Sequence, residues 1–200
     1  MNRRAFRLLF ALILVLRVAI CAQPLVMYDA FSYAIVADAV SSGHDVYAAT
    51  NRYNYTPAWS RVLAALWRLA GGGMMRFVLL VGLVLNAADA AAAVAVLRIG
   101  RRPGLLGVFE GDPRRRALLF LSNPISVFVT CTLRQFDGLA ILFLLTAVLA
   151  AGSPTRRGRW MASLSLAASL LVKHVTALHP LVFVRRRRAG LPAPLAALPY

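Results

Sequence analysis

Long apolar runs separated by short polar segments make up most of the chain, and their lengths predict helices. The first run, Leu8–Met27, approaches the ~20 residues that an α-helix needs to cross a bilayer, and Phe77–Leu97 is another of this kind. The later runs are shorter and contain polar interruptions; they are Ala117–Leu133, Gly138–Ala151, Trp160–Val172 and the stretch that ends at Val184. The pattern predicts an all-α, polytopic integral membrane protein with about six short transmembrane helices.

Composition supports a membrane environment. Hydrophobic residues make up 60% of the chain, whereas soluble globular domains contain about 45–50%. The net charge of +16 comes from arginines clustered between the apolar runs, which is the positive-inside pattern of membrane proteins. Binding to nucleic acid is disfavoured, because such proteins carry their basic patch on a soluble fold. We therefore expect a multi-pass plasma membrane protein with membrane lipids as partners.

The arginine clusters also predict the topology. The clusters at Arg98–Arg116, Arg156–Arg159 and Arg185–Arg188 are expected on the cytoplasmic side, together with the N-terminus. Trp160–Val184 could form a single span, but that span would place Arg185–Arg188 outside. A division at Lys173-His174 into two short helices keeps this cluster inside, and we therefore predict the division.

Residues 28–76 differ from the rest because acidic and aromatic residues are frequent there. We predict an extracytoplasmic loop with two interfacial helices, Ala30–Val40 and Ala58–Ala70, that ends at the glycines before Phe77. Residues 1–200 are expected to form a single transmembrane domain. Its Pro- and Leu-rich end suggests the N-terminal portion of a larger protein.

This topology collects polar and aromatic side chains at the extracytoplasmic face. A carboxylate there could take a proton from an acceptor hydroxyl, and cations could hold a departing phosphate. The alternatives are polar caps of helices, side chains that snorkel at a helix end and the aromatic belt of the interface. The candidate residues are Asp29, Tyr53, Tyr55, Arg134, Gln135, Asp137, Lys173 and His174.

Several motifs resemble the GT-C superfamily of polyprenyl-phosphate-sugar-dependent glycosyltransferases, above all its mannosyl- and glucosyltransferases. Similar segments, in the family's order, are Met27–Tyr33, Tyr53–Pro57, Asp89, Asn123-Pro124, Arg134–Gly138 and Lys173 to Pro180. The resemblance implies an inverting transfer of a hexose or pentose to a lipid-linked or glycan acceptor, with Asp29 as the catalytic base. It implies no cofactor and no tightly bound metal. Arg134 stands where the family usually has Gly.

Two other functions remain open at this stage. A transporter or flippase would bind its substrate near the midplane, and Arg17, Asn86 and Asp89 are candidates for such a site. A non-catalytic membrane subunit is the other possibility. Cys21 and Cys131 lie far apart in the sequence and are expected to be small, buried apolar residues.

Overall fold

The computed structural model describes residues 1–24, 27–53, 55–102 and 111–173. Every regular element in these ranges is helical, so the all-α prediction is confirmed there. His174 and the cluster Arg185–Arg188 lie outside the described residues. The predicted return of the chain after Lys173 therefore stays a prediction.

The helices follow the apolar runs closely. They are α1 Arg3–Cys21, α2 Tyr28–Ser41, α3 Val46–Ala49, α4 Pro57–Leu69, α5 Met74–Ile99, α6 Pro113–Leu121, α7 Pro124–Val127, α8 Asp137–Ala151 and α9 Arg156–Val172, with a π-helical segment at Phe128–Thr132 between α7 and α8.

Among the described helices, α5 alone is both long enough and apolar enough to cross a membrane, with 26 residues. Helix α1 is interrupted by arginines at both ends of its apolar stretch, and α8 is apolar but has only 15 residues. The number of six crossings therefore stays a prediction.

Helix α1 ends earlier than the sequence predicts, at Cys21 and not at Met27. Pro24 explains the difference, because the residue before a proline is disfavoured in helical geometry. Asp29 consequently lies in the first turn of α2 and does not stand at the end of the first helix.

Helices α2 and α4 begin and end within two residues of their predicted bounds. Pro57 occupies the first turn of α4, where its missing N–H removes no helical hydrogen bond. Gly71 and Gly72, with φ values of 62° and 71°, form the turn into α5, and glycine adopts this left-handed region without steric cost.

Helix α5 is central to the bundle, because it packs against α1, α4, α6 and α8, while α8 also packs against α9 and α2 against α4. One end of the bundle gathers the N-terminus and the start of α6: the amino group of Met1 lies 3.0 Å from Asp112 Oδ2. Arg102 Nη1 donates to the carbonyl of Leu149 at 2.8 Å at this same end. We call it the basic end.

Several helices expose apolar stripes. On α1, Leu8, Leu12 and Val15 are 64%, 53% and 64% exposed, and their spacing places them along one face. On α9, Trp160, Leu164 and Leu171 are exposed in the same manner. These stripes face outward from the bundle, so nothing within the described residues covers them.

Candidate functional site

The end of the bundle opposite the basic end is built around the buried ring of Phe136. The ring centroids of Tyr55 and Trp59 each lie 4.8 Å from it, and that of Tyr33 lies 6.1 Å away. These rings come from α2, α4, the segment before α4 and the link into α8, so the cluster joins four parts of the chain. We call this the aromatic end.

Asp29, the predicted base, lies at the aromatic end in the first turn of α2. Its side chain is half-buried, and Gln135 Nε2 donates a hydrogen bond to its Oδ2 at 2.9 Å. Gln135 belongs to the link between the π-helical segment and α8, so the structure brings together two residues that the sequence predicted for one site. Within the described residues, Asp29 is not part of an ion pair.

Lys173 pairs with Asp137 rather than with Asp29. Its Nζ also lies 5.6 Å from the centroid of the Phe136 ring, a distance that allows a cation–π interaction. Lys173 directly follows α9, and its extended conformation shows that the helix does not continue through it. The helix therefore ends where the sequence predicts the division, and the second predicted helix falls outside the described residues.

The two tyrosines predicted to bind substrate have different surroundings. Tyr53 is 4% exposed; its hydroxyl accepts from the backbone N–H of Ser60 at 2.9 Å and donates to the carbonyl of Thr56. These bonds stabilise the start of α4, so Tyr53 has a structural role there. Tyr55 is half-buried, and its ring packs edge-on against Phe136, so it borders the acidic and basic groups.

Burial raises the pKa of the Tyr33 hydroxyl, and the nearby Tyr55, Asp29 and Asp137 raise it further. Burial likewise raises the pKa of Tyr53, partly offset by its bond from Ser60. The common influence of Asp29 and Asp137 on Tyr33 indicates that both carboxylates lie around the same ring cluster. Tyr33 and Trp59 were not predicted as site residues.

The structure does not bring Arg134 to this cluster of charges. Its side chain is 1% exposed, and Nη2 donates to the carbonyl of Cys21 at 2.7 Å. It thus supplies a cation and a donor at the C-terminus of α1, where both are favourable. The φ of Arg134 is 61°, which lies in the left-handed region that glycine adopts without steric cost.

A second polar set lies inside the bundle, and we call it the buried network: Arg17, Asn86, Asp89, Ser126 and Thr130. Arg17 pairs with Asp89, donates to Asn86 Oδ1 at 2.7 Å and donates to the carbonyl of Leu121 at 2.8 Å. Thr130 Oγ1 and Ser126 Oγ donate to Asp89 Oδ2 at 2.8 and 3.2 Å. The side chain of Arg17 is therefore enclosed by protein groups.

Gly138 gives the buried network its room beside α8. A Cβ atom at this position would stand 2.1 Å from Asp89 Oδ1, far inside van der Waals contact. Only glycine therefore allows the start of α8 to approach the carboxylate. Gly138 directly follows the predicted site residue Asp137 in the sequence. The sequence alone, however, does not show that Gly138 lies against Asp89.

Comparisons with known proteins give no match to any family model, curated protein or solved structure. Within the described residues, no group of three or more His, Cys, Asp or Glu side chains could hold a metal ion.

Proposed function

We propose that this chain is a membrane glycosyltransferase that moves a sugar from a polyprenyl-phosphate donor to a lipid-linked or glycan acceptor. The observation that carries the proposal is the arrangement of Asp29, Gln135, Asp137 and Lys173 around the ring of Phe136. We call these five residues the site cluster.

The membrane environment is supported by the outward apolar stripes of α1 and α9. Exposed patches on soluble monomers rarely exceed a few hundred Å², and a helix that exposes Leu8, Leu12 and Val15 is better matched to lipid. The long apolar α5 agrees with this reading. In the proposed orientation the basic end faces the cytoplasm and the aromatic end faces outward.

The proposed roles follow from the surroundings of each side chain. Asp29 accepts the proton of the acceptor hydroxyl as that oxygen bonds to the sugar carbon and the bond to phosphate breaks. Gln135 donates a hydrogen bond to the carboxylate and orients it without forming an ion pair. In the proposed reaction the ammonium group of Lys173 leaves Asp137 and binds the phosphate, whose negative charge develops as its bond to the sugar breaks.

The aromatic rings suit the remaining parts of the two substrates. Tyr55 lies edge-on to Phe136 at the border of the charges, and apolar ring faces pack well against sugar C–H groups and prenyl chains. The rings also limit the access of water, which strengthens the electrostatic interactions of Asp29 and Lys173.

A transporter site at Arg17, Asn86 and Asp89 is less well supported. Arg17 and Asp89 are 1% and 2% exposed and are bonded to each other and to Ser126, Thr130 and the carbonyl of Leu121. A substrate would have to replace these bonds one by one. The network is better suited to holding α1, α5 and α6 together.

The proposal is tested by transfer from a polyprenyl-phosphate sugar in nanodiscs, with the full-length protein as it occurs in its membrane. Asp29→Asn should abolish transfer, because an amide of the same size cannot accept the proton. Donor binding and melting temperature should stay close to those of the wild type. Asp38→Asn is the matched control, since Asp38 is an exposed carboxylate on the same helix, and it should transfer normally.

Two results would contradict the proposal. Turnover of Asp29→Asn at the wild-type rate would remove the base from the mechanism. A wild-type protein that neither binds nor turns over any polyprenyl-phosphate sugar would remove the substrate class.

A further inference from the structure

The fold brings Cys21 and Cys131 together, although they lie far apart in the sequence. Cys21 is the last residue of α1 and Cys131 lies in the π-helical segment, and both are free and buried. The side-chain amide of Asn86 contacts both thiols: its Nδ2 is 2.8 Å from Cys21 Sγ, and its Oδ1 is 3.4 Å from Cys131 Sγ. The two sulfurs therefore lie beside the same amide group.

The charges around this pair are unbalanced. Arg17 and Arg134 are both buried, yet Asp89, the one buried carboxylate among the described residues, is already paired with Arg17. Arg134 Nη1 lies 3.9 Å from Cys21 Sγ, and Arg134 Nε has no hydrogen-bond partner among the described residues. A buried cation without a counter-ion is costly, so Arg134 partly offsets the cost that burial imposes on a negative charge at Cys21 Sγ.

Gly82 leaves space beside the cysteine pair. A Cβ atom on Gly82 would lie 3.1 Å from Cys21 Sγ and 3.3 Å from Arg134 Nε, so the glycine on α5 allows the thiol and the guanidinium to lie side by side. A thiolate is the reactive form of cysteine, and neighbouring arginines favour it.

We propose that Cys21 and Cys131 are a redox-active pair that a membrane-soluble quinone oxidises to a disulfide. The two S–H bonds break and one S–S bond forms, while the two electrons and two protons reduce the quinone to its hydroquinone. A quinone is the proposed class of oxidant, because both sulfurs are buried and, in the membrane environment proposed above, a membrane-soluble oxidant approaches the helices from the lipid phase. A dithiol reductant reverses the step.

The disulfide would restrain the candidate site. It would join the end of α1 to the π-helical segment, which leads through Arg134 to Gln135. Gln135 holds Asp29, so the oxidised form would limit the movement of this link. The pair is thus placed to couple the redox state of the membrane to the aromatic end.

The test counts free thiols in the wild-type chain in nanodiscs. The sample is treated with duroquinone, whose fully substituted ring does not add thiols, then quenched in acid, denatured and labelled with a polyethylene glycol maleimide. The expected result is a loss of both labels, restored by dithiothreitol. Cys21→Ser and Cys131→Ser should each keep their single label, because a lone thiol has no partner within the chain.

Matched variants separate a specific pair from general reactivity. Val18→Cys combined with Cys21→Ser keeps two thiols but moves one to an exposed position of α1, and it should not close. Arg134→Gln should slow oxidation about tenfold, whereas Arg134→Lys should retain most of the rate.

Three results would overturn the proposal. The first is two persistent labels after duroquinone in the wild type. The second is equally fast closure of the Val18→Cys, Cys21→Ser chain. The third is equally fast oxidation by tetrathionate, an anion excluded from the bilayer, because the oxidant would then not have to be membrane-soluble.

Discussion

The buried network and the site cluster each pair a cation with a carboxylate, but they differ in burial and in the number of bonds per group. In the network, Arg17 and Asp89 are 1% and 2% exposed and are bonded on several sides. In the site cluster, the side chains of Lys173 and Asp137 are 19% and 33% exposed. Closed polar sets hold helices in register, whereas partly open ones retain groups that can bind a ligand.

This comparison predicts the largest effect for Arg17→Leu, which leaves the Asp89 carboxylate buried without its partner. The free energy of unfolding should fall by about 3–5 kcal/mol, measured by thermal or denaturant unfolding in detergent. Combining Arg17→Leu with Asp89→Leu should recover a large part of the loss. A double variant less stable than Arg17→Leu alone would show that the carboxylate is not the source of the cost.

Gly138→Ala is expected to cost about 1–3 kcal/mol, the usual range for overpacking. The new methyl group would collide with Asp89 Oδ1, which Thr130 and Arg17 hold in place. The same unfolding measurement applies. Because the effect depends on the carboxylate, the cost should shrink when Asp89 is first replaced by Ala, and an unchanged cost would place the clash elsewhere.

At the aromatic end, stability should depend on the ionisation of Tyr33. The folded state raises the pKa of its hydroxyl, so its contribution is complete below the unfolded value of about 10 and is lost as the pH rises above it. The free energy of unfolding should fall with a slope of up to about 1.4 kcal/mol per pH unit for this group. Tyr33→Phe should show a shallower fall, measured from pH 8 to 11.

The smallest effect on stability is expected for Lys173→Met. A partly exposed ion pair contributes about 0–1 kcal/mol, so the melting temperature should hardly change. The KM for the polyprenyl-phosphate donor should nevertheless rise at least about tenfold, because one charge-assisted contact to phosphate is lost. A large drop in stability with an unchanged KM would show that Lys173 has a structural role and does not bind the donor.

Local signals predicted the helices well, because each depends on residues close together in the sequence. Pro57 and the glycines before α5 mark boundaries that the structure reproduces. The apolar run continues past Pro24 and therefore predicts too late an end for α1, because hydropathy does not register the helix-breaking effect of that proline. The short helix α3 was not predicted either.

Contacts between distant segments could be predicted only where the topology brought the residues to one face. Asp29 and Gln135 were found in this way, and they are hydrogen-bonded. The sequence does not single out Phe136 as the centre of the rings, because the polar residues on either side of it equally indicate a turn that caps the adjoining helices. The prediction for Arg134 is wrong because its left-handed backbone, with the side chain bonded to the carbonyl of Cys21, is not visible in the sequence.

The π-helical segment at Phe128–Thr132 has a consequence for evolution and engineering. A π-turn accommodates one residue more than an α-turn, so the chain after it is rotated by about 100° relative to an uninterrupted helix. The consecutive residues Thr130 and Cys131 both point inward there, toward Asp89 and Asn86. A single-residue deletion within the π-helical segment would rotate the residues between it and Asp137 relative to α7. No side-chain substitution could restore their original orientation.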